Sequence, residues 1–96
     1  MNRNVHFAIQ IIPLNSDGGT YDLIDRAIEV ISQSGLPYVV GPMETVIEGG
    51  YDEVMSVARQ AQQACFNAGA EELVVNMKIH ARKDGDITFR EKLDKY

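Results

Sequence analysis

The sequence predicts an α+β sandwich: a four-stranded antiparallel sheet, two helices on one face, and a short helix at the end. Three observations predict it. Apolar residues alternate with period two in four short segments, two longer segments carry apolar stripes at helical spacing, and the second half of the chain repeats the first half's order of strand, helix and strand.

The first strand spans residues 5–14. Val5, Phe7, Ile9 and Ile11 point one way, and His6, Ala8, Gln10 and Ile12 the other. Pro13 and the Asn15-Ser16-Asp17-Gly18-Gly19 stretch end it. Leu23, Ile24, Ala27, Ile28 and Ile31 then share one helical stripe. Thr20 is the expected N-cap, Asp22 suits the positive first turn, and Gly35 followed by Pro37 stops the helix.

Tyr38-Val39-Val40 forms a second strand and Thr45-Val46-Ile47-Glu48 a third, with a short hairpin loop at Gly41-Pro42-Met43. Gly49-Gly50 opens a second helix with Val54, Val57, Ala58, Ala61, Ala64, Cys65 and Ala68 along its apolar side, and Gly69 closes it. The fourth strand is expected over 72–82. Leu73, Val75, Met77, Ile79 and Ala81 alternate there with Val74, Asn76, Lys78, His80 and Arg82. After the Lys83-Asp84-Gly85-Asp86 turn, Thr88 and Glu91 have the spacing of a capping box for a terminal helix. Two right-handed βαβ units joined by a hairpin make the ferredoxin-like βαββαβ arrangement, here over residues 1–96 as one domain.

Composition excludes several classes. Of 96 residues, 45% are apolar and 24% charged, which is the balance of a folded globular chain. No apolar run is long enough to span a bilayer, and no signal segment opens the chain, so a cytoplasmic location is expected. One cysteine builds neither a disulfide nor a zinc site, and Cys65 falls on a buried stripe. The formal net charge is −5, with ten acids against Arg26 and Arg59 between residues 14 and 77. That balance argues against nucleic acid as a partner, as does the lack of aromatic residues at outward strand positions.

The helices are expected to cover the face carrying Phe7, Ile9, Val75 and Met77. The other face, with His6, Ala8, Gln10, Ile12, Val74, Asn76, Lys78, His80 and Arg82, mixes apolar and polar groups. A second copy of the chain would cover such a face, giving a homo-oligomer with a ligand site at or near the interface. His6 and His80 fall on neighbouring strands, yet acidic ligands at metal-binding spacing are not evident, so no metal and no cofactor are expected. The Gly-Gly turns lack the further glycines and the lysine of phosphate-binding loops and read as tight connections. No nucleophile stands beside a base in any known catalytic spacing. Glu48, at a strand end before two glycines, and Thr45, three residues earlier, offer a carboxylate and a hydroxyl suited to an aminopyrimidine. Their spacing gives them opposite strand parity unless a bulge intervenes.

The stretch Ser34-Gly35-Leu36-Pro37-Tyr38-Val39-Val40-Gly41-Pro42-Met43-Glu44-Thr45-Val46-Ile47-Glu48-Gly49 closely resembles the signature of the thiamine-binding, YkoF-like family. The opening strand through Ile12-Pro13-Leu14 and the tail Gly85-Asp86-Ile87-Thr88-Phe89-Arg90-Glu91-Lys92-Leu93 resemble it too. The resemblance implies a ferredoxin-like domain that assembles through its sheet into dimers or tetramers. It also implies non-catalytic binding of thiamine or its hydroxymethylpyrimidine moiety, with Thr45 and Glu48 carried over as ligand-binding residues. Gln10, Tyr38 and Asn76 are added as groups able to border a pocket on the sheet. Two other classes stay open: a dimeric α+β barrel-type enzyme acting on a small aromatic substrate through His6 or His80, and a structural or regulatory oligomer without a ligand.

Overall fold

A computed structural model describes residues 3–14 and 19–94. The described elements are β1 (Asn4–Leu14), α1 (Thr20–Gln33), β2 (Tyr38–Val40), β3 (Thr45–Gly50), α2 (Tyr51–Asn67), β4 (Glu72–His80) and α3 (Phe89–Leu93). The sheet runs β2-β3-β1-β4 with every neighbour antiparallel, which is the ferredoxin-like order.

Alternation decides which face each strand buries. Val5, Phe7, Ile9 and Ile47 lie inside against Leu23, Ala27 and Ile31 of α1 and Val54, Ala58, Ala61 and Cys65 of α2. Each helix contributes one stripe at i, i+3, i+4 spacing, so most of its stability comes from this packing and not from intrinsic propensity. The Cys65 thiol is held in that layer, donating to the Leu23 carbonyl at 3.3 Å, and burial pushes its pKa up.

The helix stops fall where glycine was expected. Gly35, at φ +80°, takes the left-handed conformation that ends α1, while the Ser34 hydroxyl donates to the Ile31 carbonyl at 2.6 Å. Gly49 answers a different need: a Cβ there would stand 3.0 Å from Leu36 and 3.3 Å from Val54, so only a bare backbone lets β3 approach them. At the start of α2 the Glu53 carboxylate accepts from the Gly50 N–H at 3.2 Å, which is one half of a capping box, since glycine has no side chain to return the bond.

Three expectations are corrected. Gly19, not Thr20, caps α1, because the Gly19 carbonyl already accepts from the Asp22 and Leu23 N–H groups and Thr20 is the first helical residue. The remainder of the loop, residues 15–18, lies outside the described residues, and with it most of the first Gly-Gly turn. β4 ends at His80 and not at Arg82. The Asn4 groups that would extend its ladder are taken elsewhere, the carbonyl by the Ile87 N–H at 3.0 Å and the N–H by the Asp86 carboxylate at 2.8 Å.

The third correction matters most for function. His6 and Ala8 were expected on an open sheet face, yet they are 4% and 9% exposed. Residues 87–93 fold back across that end of the face: Ile87 is fully buried, and the Phe89 ring lies 4.4 Å from the His6 imidazole. Thr88 and Glu91 close the expected capping box, each side chain bonding the other's N–H at 3.2 Å. Arg82 then grips Glu91 at 3.0 Å. What stays open on this face is the other end, with Gln10, Ile12, Val39, Val74, Asn76 and Lys78.

Candidate functional site

β1 outruns its partner. Its pairing with β3 stops at Ile9 opposite Thr45, while its pairing with β4 continues to Leu14 opposite Glu72. Pro13, which cannot donate to a ladder, therefore sits where β1 has only one neighbour. The space beside this overhang is roofed by Ile24, Ala27, Ile28 and Ile31 of α1. It is closed at one side by the β2–β3 loop, where the Gly41 N–H donates to the Glu44 carbonyl at 2.9 Å. The result is a cleft of about 260 Å³, with Ile9, Ile11 and Val40 along its walls and Tyr21 and Met43, both exposed, among its lining residues.

Thr45 lines this cleft together with Gln10, Tyr21 and Glu44 as its polar residues. It is 8% exposed, and its side chain forms no hydrogen bond among the described residues. No fully buried polar side-chain atom among those residues lacks a partner, so the hydroxyl keeps some contact with solvent. An apolar cleft with one unengaged hydroxyl is a place for a small, flat, partly polar molecule.

Glu48 is elsewhere. It pairs with His6 across β1 and β3, on the face opposite Thr45, because no bulge interrupts the register. Its Oε1 accepts from the Phe89 backbone N–H at 2.6 Å and from His6 Nε2 at 3.0 Å. A carboxylate only accepts, so Nε2 carries the imidazole proton. Burial pushes the His6 pKa below its ordinary 6.5; the hydrogen bond it donates to Glu48 pulls it back up, and Lys92 and His80 push it down. A shallower groove of about 370 Å³ lies over this region, bordered by Lys78, His80 and Lys92. Lys78 is already paired with Glu44 at 2.9 Å.

The sign of the His6 shift sets a pH dependence. The unfolded chain binds a proton on His6 near its ordinary value, whereas the folded chain resists until lower pH. The stability tied to neutral His6 is thus complete above about pH 6.5 and is lost as pH falls through the folded value. Urea midpoints at pH 8 and pH 5 are expected to differ, with a smaller drop in His6→Gln. An equal drop in the two proteins would overturn this account.

Of the five site residues expected from sequence, Thr45 lines the cleft, and Gln10 borders it with its side chain turned to the other face of the sheet. Asn76 donates to the Gln10 side chain at 3.1 Å on the opposite face. Tyr38 stands opposite Ile47, outside the cleft, and Glu48 lies under α3. Among the described residues the Thr45 and Glu48 side chains lie on opposite faces of β3. Tyr21, Ile24, Ile28 and Met43 were not singled out as site residues. The available signal was the width of the α1 stripe, since Ile24 and Ile28 add a second apolar row beside the buried Leu23, Ala27 and Ile31.

Residues 7–96 match the family model described as thiamine-binding protein. The chain belongs to the thiamine-binding protein family. A UPF0045 protein of Clostridium perfringens is 36% identical over 89 residues, covering 93% of each chain. Among solved structures, a domain of unknown function from Bacillus cereus superposes with a TM-score of 0.94 at 42% identity, covering 99% of this chain and 91% of that one. A Thermotoga maritima protein provisionally assigned to thiamine biosynthesis or salvage superposes at 0.86 with 35% identity, covering 97% and 98%. Among the described residues no helix is long and apolar enough to cross a membrane.

Proposed function

We propose that the chain binds thiamine, or its hydroxymethylpyrimidine moiety, in the cleft between α1, β1 and the β2–β3 loop, without catalysing a reaction on it. The observation that carries this reading is the unengaged Thr45 hydroxyl in the lining of a largely apolar cleft of about 260 Å³. That volume is slightly below the range of about 300–1,000 Å³ for drug-sized ligands, and it suits a single substituted pyrimidine ring. Thr45 would accept from the exocyclic amine or donate to a ring nitrogen, and the isoleucines of α1 and β1 would sandwich the ring. A thiazolium group would then lie toward the mouth, where Tyr21 offers an aromatic face to a cation and the acidic body of the chain favours its approach.

The family match and the thiamine-related relative support the ligand class; the cleft supports its location. Binding without chemistry fits a cleft whose one lining carboxylate, Glu44, is already paired with Lys78 at 2.9 Å. Glu48 serves here as the clamp on α3. The open end of the sheet, where Ile12, Val39 and Val74 are 37–43% exposed, would be covered by a second copy in a dimer or tetramer.

Calorimetric titration with thiamine and with hydroxymethylpyrimidine tests the reading. Thr45→Val keeps the shape and removes the hydroxyl, so affinity is expected to fall about tenfold, the worth of one ligand hydrogen bond. No heat with either compound at high micromolar concentration would sink the proposal. Unchanged affinity in Thr45→Val would remove the cleft from it.

A further inference from the structure

The groove beside α3 carries a charge pattern of its own. Ala8 stands in the middle of a row across three strands, between Val46 of β3 and Lys78 of β4. Its methyl group is shorter than either neighbour, and the groove of about 370 Å³ lies above it. Lys78 and His80 border this space from β4 and Lys92 from α3. The chain is acidic as a whole, at −5, yet this lining sets two lysines and an exposed histidine against one acid, Glu44. Among the described residues Lys92 and His80 form no hydrogen bond and no ion pair. The nearby carboxylates are engaged: Glu91 holds Arg82 at 3.0 Å, and Glu48 accepts from His6 and from the Phe89 N–H. Lys92 is half-buried, and burial pushes its pKa down while Glu91 pulls it back up. An ammonium group in that position, short of water and without a carboxylate of its own, gains from an incoming anion.

We propose that this groove binds a phosphate group, free or esterified to a small organic molecule, between Lys78, His80 and Lys92. Two ammonium groups from different elements match the double charge of a phosphate better than the single charge of a carboxylate. The His80 imidazole adds an N–H donor. Ala8 and the half-buried Val46 offer an apolar floor on which the organic part of an ester can lie. Glu44 is the built-in competitor. Its carboxylate holds Lys78 at 2.9 Å, and the phosphate must take that ammonium over. The groove is on the opposite face of the sheet from the Thr45 cleft, so this site does not depend on the thiamine reading.

Calorimetric titration with inorganic phosphate and with phenyl phosphate tests the site. Tighter binding of phenyl phosphate assigns the groove to an ester, and equal affinities assign it to the free ion. Lys92→Met keeps the stem and removes the charge, so affinity for both is expected to fall about tenfold, the worth of one charge-assisted hydrogen bond. Glu44→Gln frees Lys78 and is expected to tighten binding, by up to about fivefold for the loss of one competing ion pair. Arg90→Gln removes a charge from the same helix at a side chain that is 90% exposed and outside the groove, and should leave affinity unchanged. Should Lys92→Met loosen α3, Lys78→Met carries the same test at a side chain that is 73% exposed. Amide resonances of residues 78–80 and Lys92 are expected to shift on addition of phenyl phosphate, while those of Ile28 and Gly41 in the cleft stay in place. No heat with either compound at about 10 mM overturns the proposal. So does a loss in Arg90→Gln as large as that in Lys92→Met, which marks general charge attraction, or a set of shifts centred on the cleft.

Discussion

Glu48→Ala is expected to lower stability by about 3 kcal/mol, because it removes a charged acceptor from two donors, each such bond being worth about 1.5–3 kcal/mol. The carboxylate ties β3 to both His6 and the first N–H of α3. Without it the part-buried Phe89 N–H and His6 Nε2–H lose their acceptor. At about 4–8 °C per kcal/mol for a domain of this size, the melting temperature should drop by about 12–24 °C. Local loss should precede global loss. Amide exchange at Ile87 and Phe89 is expected to accelerate more than exchange in the middle of β1. Glu48→Gln, which keeps an acceptor oxygen and loses the charge, should fall between. A Glu48→Ala protein that melts within two degrees or so of wild type, with protected Phe89, would show that α3 is held by its apolar contacts alone.

Phe7→Ala should cost more still. Phe7 is fully buried in the central strand, with β3 on one side and β4 on the other, and truncating such a ring costs about 3–5 kcal/mol. A domain of this kind has only about 5–15 kcal/mol in total, so the variant is expected to be partly unfolded at 37 °C. Tyr21→Ala, at a residue 82% exposed, is the matched control and should stay within about 0.5 kcal/mol. Denaturant unfolding measures both. A Phe7→Ala midpoint close to that of Tyr21→Ala would mean that the core relaxes around the gap.

The architecture was legible because its causes are local. Period-two alternation, two helical stripes and the glycines at 35 and 69 are all read within a few residues of where they act. The separation of Thr45 from Glu48 was legible too, since three residues along an unbulged strand reverse the side chain's direction. What the pattern could not show is the fate of His6. It depends on Ile87 and Phe89 returning across the sheet to meet Asn4 and Glu48, a contact between the two ends of the sequence that leaves no periodic trace. The cleft was hidden for a related reason. It is the space left where β1 extends past β3, and no single residue encodes a gap between elements of unequal length.

The central place of β1 also governs how the molecule must form. Its two partners, β3 and β4, come later in the chain, and β4 is the last of the strands. Loop closure over that span has to precede the contacts that reward it, so the transition state is expected to be slow to reach and rich in distant pairings. During synthesis, β1 would wait with Phe7 and Ile9 exposed until residues 72–80 have cleared the ribosome. The strand that begins the sheet is also the one whose completion ends it, and folding of this chain should therefore be an all-or-none event that follows translation of β4.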